Sequence, residues 1–249
     1  MSIQLIGVRK AFGDKVILDG VSLEVREGET VAIVGFSGSG KSVLLKTIVG
    51  LLRPDAGQVL VDGQAVTELP RAELYALRRR VGYVFQFAAL FDSMTVAENV
   101  AMGLRRIPGM GEAEVAARVE ASLRLVDLEG YGSRYPAELS GGQRKRVGLA
   151  RAIATRPKYV LYDEPTTGLD PVTTAVIDRL ILRLREELGV TGVVITHNLE
   201  SAYRVGDRIA MLHGGVIRFA GTPEEIRRAR DPLVRAFVEG RPELAEGVV

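Results

Sequence analysis

Eight consecutive residues, Gly35-Phe36-Ser37-Gly38-Ser39-Gly40-Lys41-Ser42, fit the pattern G-x-x-x-x-G-K-[ST] without a mismatch. The chemistry of holding a phosphate demands this spacing. Backbone N–H groups must wrap around anionic oxygens at a helix N-terminus, where orphan donors and the helix dipole favour negative charge. Glycines at 35, 38 and 40 allow the loop conformations and the close approach. Lys41 has the reach for the β- and γ-phosphates of a nucleotide, and the Ser42 hydroxyl for its Mg²⁺. The bland alternative is a ligand-free Gly-rich turn. Average glycine usage puts a chance match at about 1% for a chain of this size.

Five other places carry residues suited to the same chemistry. Asp163 follows the apolar run Tyr159-Val160-Leu161-Tyr162, the setting of a Mg²⁺-binding aspartate in a phosphate-loop ATPase. Glu164, directly after it, can orient and deprotonate an attacking water while Asp163 serves the metal. The alternative for the pair is a solvated acidic turn before Pro165. Leu139-Ser140-Gly141-Gly142-Gln143 reads either as a loop with a Ser N-cap or as a second helix-N-terminal anion site. Gln86 and His197 each follow a predicted strand. Phe12, just before a turn at Gly13-Asp14, can stack on an adenine or fill a core.

The elements that must position these residues are legible as well. Thr30–Val34, Tyr159–Tyr162 and Gly192–Thr196 are short apolar runs of the kind a buried parallel strand needs. Lys41–Leu52 reads as a helix ended by Arg53-Pro54. Weak alternation over residues 3–25 predicts antiparallel strands, and Val81–Phe85 predicts a strand before Gln86. Asp170-Pro171 opens a helix that stops at Gly189. Capping boxes stand at Thr95–Glu98 and Thr222–Glu225. Arg208–Leu212 and Val216–Ala220 read as closing strands, with His213 in the turn between them, and Asp231–Val249 as a tail. Strands alternating with helices imply an α/β fold with a mostly parallel sheet, the ligand lying at the strands' carboxyl ends.

Composition narrows the function classes. The 249 residues are 47% hydrophobic, with 33 basic against 31 acidic residues and no cysteine. The balanced charge gives no argument for a nucleic-acid partner, and disulfide or thiol chemistry is excluded. Met1-Ser2-Ile3-Gln4 lacks the regions of a signal peptide, and no apolar run approaches the ~18 residues of a membrane helix. A role at a membrane is therefore expected to come through a partner.

With the Leu139–Gln143 motif the sequence resembles the ATP-binding-cassette (ABC) ATPase family over residues 1 to about 222. The resemblance implies a phosphate-loop, RecA-like core sheet with an antiparallel β-subdomain, a helical subdomain inserted at about 87–157, and residues 223–249 as a C-terminal helix and tail. It implies ATP and Mg²⁺ as cofactors. Residues 35–42 then look like the Walker A loop and Tyr159–Asp163 like the Walker B strand. Ser140, Gly141, Gly142 and Gln143 match the signature that touches a nucleotide held by a second copy. Gln86 is similar to the Q-loop glutamine near metal and water, Glu164 to the catalytic glutamate, Asp170 to the D-loop aspartate and His197 to the switch histidine. Phe12 falls where relatives carry an adenine-stacking aromatic. Thr167-Gly168-Leu169-Asp170 departs from the Ser-Ala-Leu-Asp of many relatives. Partners implied are a second copy in an ATP-sandwich dimer, an integral-membrane permease, and substrate-binding or regulatory subunits, at the cytoplasmic face of the membrane. Phe85–Val96 and Asp231–Gly240 resemble the Mla/Mce-type lipid-transport branch, while Pro136-Ala137-Glu138 looks importer-like. The expected cargo is lipid, with import of a polar solute or a non-transport role as alternatives.

Overall fold

The computed structural model describes residues 2–241. In chain order the elements are β1 (Ser2–Phe12), β2 (Lys15–Arg26), β3 (Thr30–Val34), α1 (Lys41–Ile48), β4 (Ala56–Val61), β5 (Gln64–Ala65), α2 (Arg71–Arg79) and β6 (Val81–Val84). There follow α3 (Val96–Ala101), α4 (Glu112–Leu125), α5 (Gly141–Ile153), β7 (Tyr159–Asp163), α6 (Pro171–Leu188) and β8 (Thr191–Ile195). The chain closes with α7 (Leu199–Val205), β9 (Arg208–His213), β10 (Val216–Gly221), α8 (Pro223–Arg227) and α9 (Pro232–Glu239). Two compact units result, one from residues up to 74 and from 191 onward, the other from 75 to 190.

In the first unit β3 is buried at every position and pairs in parallel with both β8 and β9. An unbroken Thr-Val-Ala-Ile-Val run suits a strand covered on both faces, because alternation would place polar groups in the core. The register sets Ile33 beside Ile195 and Ala210, and β9 runs on past the end of β3 to His213. β10 pairs antiparallel with β9. A second, antiparallel sheet has the order β2-β1-β4-β5. One hydrophobic cluster joins β3, β9, α7, α8 and α9: Ala32, Val34, Ala202, Ile209, Met211, Ile226 and Val234, with Phe237 and Val238 packed on it.

In the second unit β6 pairs in parallel with the fully buried β7, Val84 opposite Tyr162. The helices α3 to α6 surround this pair in sequence. The capping boxes at Thr95/Glu98 and the Asp170 cap of α6 form as the sequence predicts. The buried side chain of Asn99 accepts from Phe91 N–H and donates to the carbonyls of Phe91, Met94 and Thr95, which fixes the loop entering α3.

Three expectations need correction. The first helix ends at Ile48, four residues before Leu52. Gly50 adopts φ 65°, and Leu51 and Leu52 N–H both turn back to the Lys46 carbonyl, a left-handed C-terminal stop that precedes the proline signal. The expected tail is partly helix: Asp231 caps α9 through Leu233 and Val234 N–H, and Gly240 terminates it at φ 64°. Residues 242–249 of that tail lie outside the described residues. His213 is the last residue of β9 rather than a turn residue. The turn belongs to Gly214-Gly215, both at positive φ. Among the described residues no helix is long and apolar enough to cross a membrane.

Candidate functional site

The expected site residues divide between the two units. Phe12, the 35–42 loop and His197 belong to the first; Gln86, Ser140–Gln143, Asp163, Glu164 and Asp170 belong to the second.

In the first unit β3 delivers the chain into the loop and α1 leaves it, with Gly40 as N-cap at φ 98°. A side chain at Gly35 would put its Cβ 2.2 Å from the Leu212 carbonyl oxygen, so only glycine lets the loop lie against β9. The buried Lys41 ammonium donates to the carbonyls of Gly35 at 2.8 Å and Phe36 at 3.0 Å, folding back over the loop it follows. The Ser39 Oγ is buried without a hydrogen-bond partner among the described residues. An unpartnered hydroxyl, a glycine cradle and an ammonium around one helix N-terminus fit a phosphate oxyanion. β8 runs beside β3 and leads through Thr196 to the exposed His197, and Asn198 then caps α7. Phe12 is 50% exposed at the end of β1, with the Lys10 ammonium 5.4 Å from its ring centroid. That exposure excludes the core-filling alternative.

In the second unit β7 carries Asp163 and Glu164 to its carboxyl end, both nearly buried at 7% and 9% exposure. The Tyr83 hydroxyl, on neighbouring β6, donates to Asp163 Oδ2 at 2.9 Å. Burial, and next the Asp163 carboxylate, hold the Tyr83 phenol well above its ordinary pKa, so it remains a donor. Glu164 stands in the left-handed region at φ 48°. Its carboxylate Oε2 accepts from Thr167 Oγ1 at 3.0 Å. A carboxylate oriented by a hydroxyl in this way is suited to take a proton from water. Gln86 begins a loop whose Ala88 and Ala89 are also left-handed, at φ 60° and 48°. Phe87 in that loop is 80% exposed, with Phe85 at 41% and Phe91 at 49%, so this run is surface rather than core.

Ser140 caps α5 in a reciprocal box. Its Oγ accepts from Gln143 N–H at 3.3 Å, and Gln143 Oε1 accepts from Ser140 N–H at 2.9 Å. A cleft of about 350 Å³ opens there, lined by Ser140, Gly141, Gly142, Gly168, Asp170 and Thr173. A Cβ on Gly142 would meet Thr173 Cγ2 at 2.6 Å. Asp170 accepts from Val172 and Thr173 N–H and from Thr173 Oγ1, and the Thr173 bonds hold its carboxyl below the usual range.

Sequence reasoning missed several neighbours. Tyr83 lay within a recognised strand, three residues before Gln86, yet nothing in the pattern said that its hydroxyl reaches Asp163. Lys145 and Arg151 sit on α5 as two basic residues among several. Lys145 is buried and donates to the carbonyls of Gln86 and Glu164, while Arg151 donates to those of Ala88 at 2.5 Å and Ala89 at 2.6 Å. Burial pulls both cations below their ordinary pKa, and Glu164 and Asp163 draw Lys145 back up. His213 and Phe237 both meet the ring of Phe36 edge-on, at centroid distances of 5.5 and 5.1 Å.

The likeness to known proteins extends through these residues. The ABC transporter family matches residues 18–167. The sulfate/thiosulfate import ATP-binding protein CysA of Caulobacter vibrioides is 47% identical over 243 residues, covering 96% of this chain and 69% of that protein. The methionine import ATP-binding protein MetN of the same organism is 48% identical over 242 residues, covering 96% of this chain and 73% of that protein. Among solved structures, the dimeric post-hydrolysis state of the ATP-binding cassette MJ0796 bound to ADP and Pi superposes with a TM-score of 0.81 at 37% identity, over 89% of this chain and 98% of that one. With the phosphate loop, the buried Asp-Glu pair and the capped glycine motif already in place, these matches establish that the chain belongs to the ABC transporter family, as an ATP-binding and ATP-hydrolysing subunit of such a transporter.

Proposed function

We propose that this subunit powers the uptake of a polar solute, working as a pair of copies beneath a membrane permease at its cytoplasmic face. The observation that carries the reading is identity of 47% and 48%, over 96% of this chain, to subunits named for sulfate/thiosulfate and methionine import. The dimeric, ADP-bound relative supports the paired arrangement. The exposed Phe85, Phe87 and Phe91 supply an apolar face for a permease's cytoplasmic segment. Lipid transport is the second reading, favoured by the resemblance of the segment Phe85–Val96. Residues 1–222 act as the ATPase domain, with the helical subdomain at about 87–157 inserted in it, and residues 223–249 form its C-terminal helix and tail.

In this reading Phe12 stacks on the base, and Gly35, Ser37, Gly38, Ser39 and Gly40 wrap the phosphates. Lys41 neutralises the β- and γ-phosphates. Among the described residues no cluster of three metal-ligating acids or histidines exists. The donor set of Ser42, Gln86 and Asp163 is one hydroxyl, one amide and one carboxylate, which suits a Mg²⁺ that keeps phosphate and water oxygens for its other positions. Bound Mg²⁺ would neutralise charge on the phosphates. Glu164 takes the proton of the attacking water, Thr167 orients its carboxylate, and His197 donates toward the terminal phosphate. Ser140 to Gln143, with Asp170, complete the partner copy's nucleotide.

The test is to purify the subunit with its permease and follow ATPase rate against a panel of small anions, amino acids and nucleotides, alongside mass spectrometry for bound lipid. A polar solute that stimulates turnover in a lipid-free complex is expected. A complex that retains phospholipid and ignores the whole panel overturns the polar-solute reading in favour of the lipid one.

A further inference from the structure

We infer that Lys145 is a positioning residue for ATP hydrolysis, its ammonium tying the backbone of Gln86 to that of Glu164. The inference rests on the proposed role of Glu164 as the base.

Lys145 lies one turn inside α5 and is 7% exposed. Its Nζ donates to the carbonyl of Gln86 and, at 3.4 Å, to that of Glu164. These carbonyls belong to two loops that leave adjacent, parallel strands, β6 and β7. Tyr83 also joins the two strands, below these loops, through Asp163. Both loops hold backbone that an L-residue adopts only under constraint: φ 48° at Glu164, and 60° and 48° at Ala88 and Ala89. Such conformations persist where the surroundings over-determine them.

α5 supplies that constraint twice. Arg151 holds the far side of the Gln86 loop through the Ala88 and Ala89 carbonyls, and Lys145 holds its near side. The Glu164 carbonyl also accepts from Thr167 N–H at 3.3 Å, and its carboxylate accepts from Thr167 Oγ1. The peptide that carries the base is thus fixed from two directions, and the one that comes from α5 is shared with Gln86. A shift of the Gln86 loop must lengthen its bond to the ammonium or drag the ammonium along. The second course moves the Glu164 peptide. A methionine would fill the same space without tying anything, and a bare ammonium costs more to bury than a thioether. The placement therefore serves the two bonds rather than the packing.

The experiment measures phosphate release, binding of a fluorescent ATP analogue and thermal melting for Lys145→Met, Lys145→Arg, Glu164→Gln and the Lys145→Met/Glu164→Gln double variant. Misplacing a reacting group by about 1 Å can cost ~10²-fold, so Lys145→Met is expected to lower kcat by about that factor while Kd for nucleotide changes less than about threefold. Lys145→Arg keeps the charge and the donors and should recover kcat to within about tenfold of wild type. If Lys145 acts through Glu164, the two losses do not add: on the Glu164→Gln background Lys145→Met should cost less than about twofold more. Equal losses on both backgrounds, a Kd that weakens in step with kcat, or wild-type kcat in folded Lys145→Met overturns the inference. Should Lys145→Met fail to fold, Lys145→Gln enters the same cycle and is judged by the same outcomes. Wild-type turnover in Glu164→Gln alone would instead remove the base assignment beneath it, whereas a slow Glu164→Gln beside an unimpaired Lys145→Met removes only the role of Lys145.

Discussion

At the scale of single residues the chemistry is a matter of who holds which carboxylate and which phosphate. Lys41→Ala takes away an ammonium that also ties down the Gly35 and Phe36 carbonyls. ATP binding, followed by fluorescent nucleotide titration, should fall by roughly 10²-fold or more, since a charge-assisted contact is worth about 1.5–3 kcal/mol and the loop loses its tie as well. Wild-type affinity in that variant would dissociate the loop from nucleotide binding. The Thr167 hydroxyl donates to Glu164 Oε2 at 3.0 Å. Thr167→Val keeps the shape and removes the bond. The expected result is a kcat about tenfold lower, with nucleotide Kd unchanged, because a hydrogen bond to a charged group at this depth contributes roughly 1.5 kcal/mol or more. An unaltered kcat would mean that Glu164 is oriented without it.

At the scale of elements α9 changes character between sequence and structure. Leu233, Val234 and Ala236 are buried, and Phe237 packs both on the cluster under β3 and on the ring of Phe36. The helix is therefore a brace for the strand that delivers the phosphate loop, not an appendage. Phe237→Ala loses an edge-to-face aromatic contact worth about 0.5–1.5 kcal/mol besides the buried area. Thermal melting should show a destabilisation of about 1–3 kcal/mol, and the KM for ATP should rise while kcat holds. Ending the chain at 230 should do both more strongly. A truncated protein with wild-type melting temperature and KM would return α9 to the status of a tail.

At the scale of the whole molecule the question is why one chain carries a phosphate loop and a second glycine-rich helix start. The proposed pairing answers it: in that reading each Ser140–Gln143 motif closes on the other copy's nucleotide. Loss of a general base typically costs ~10²–10⁴ in rate, so Glu164→Gln should bind ATP, fail to consume it and accumulate as a closed pair. Light scattering after size exclusion, with and without Mg·ATP, reads this directly. Adding Ser140→Arg, which crowds the cleft beside Asp170, should return the protein to a monomer. A Glu164→Gln protein that stays monomeric at saturating ATP would refute the shared site.

Much of this was already written in local sequence. The 35–42 loop, the buried runs of β3, β7 and β8, and the caps at Thr95, Ser140, Asp170 and Thr222 depend on residues within a few positions of one another, where conformation follows from backbone chemistry and hydrogen bonds of short reach. The end of α1 comes earlier than Pro54 signals because Gly50 competes as a stop and wins through its left-handed turn. What only the tertiary structure decided are the ties between distant segments: Tyr83 to Asp163, Lys145 to Gln86 and Glu164, Phe237 and His213 to Phe36. No periodicity marks such residues, since a buried lysine on an amphipathic helix has the same spacing as an exposed one. Their roles arise when strand pairing and helix packing bring separate stretches to one place, where each donor must find an acceptor that only the folded chain can supply.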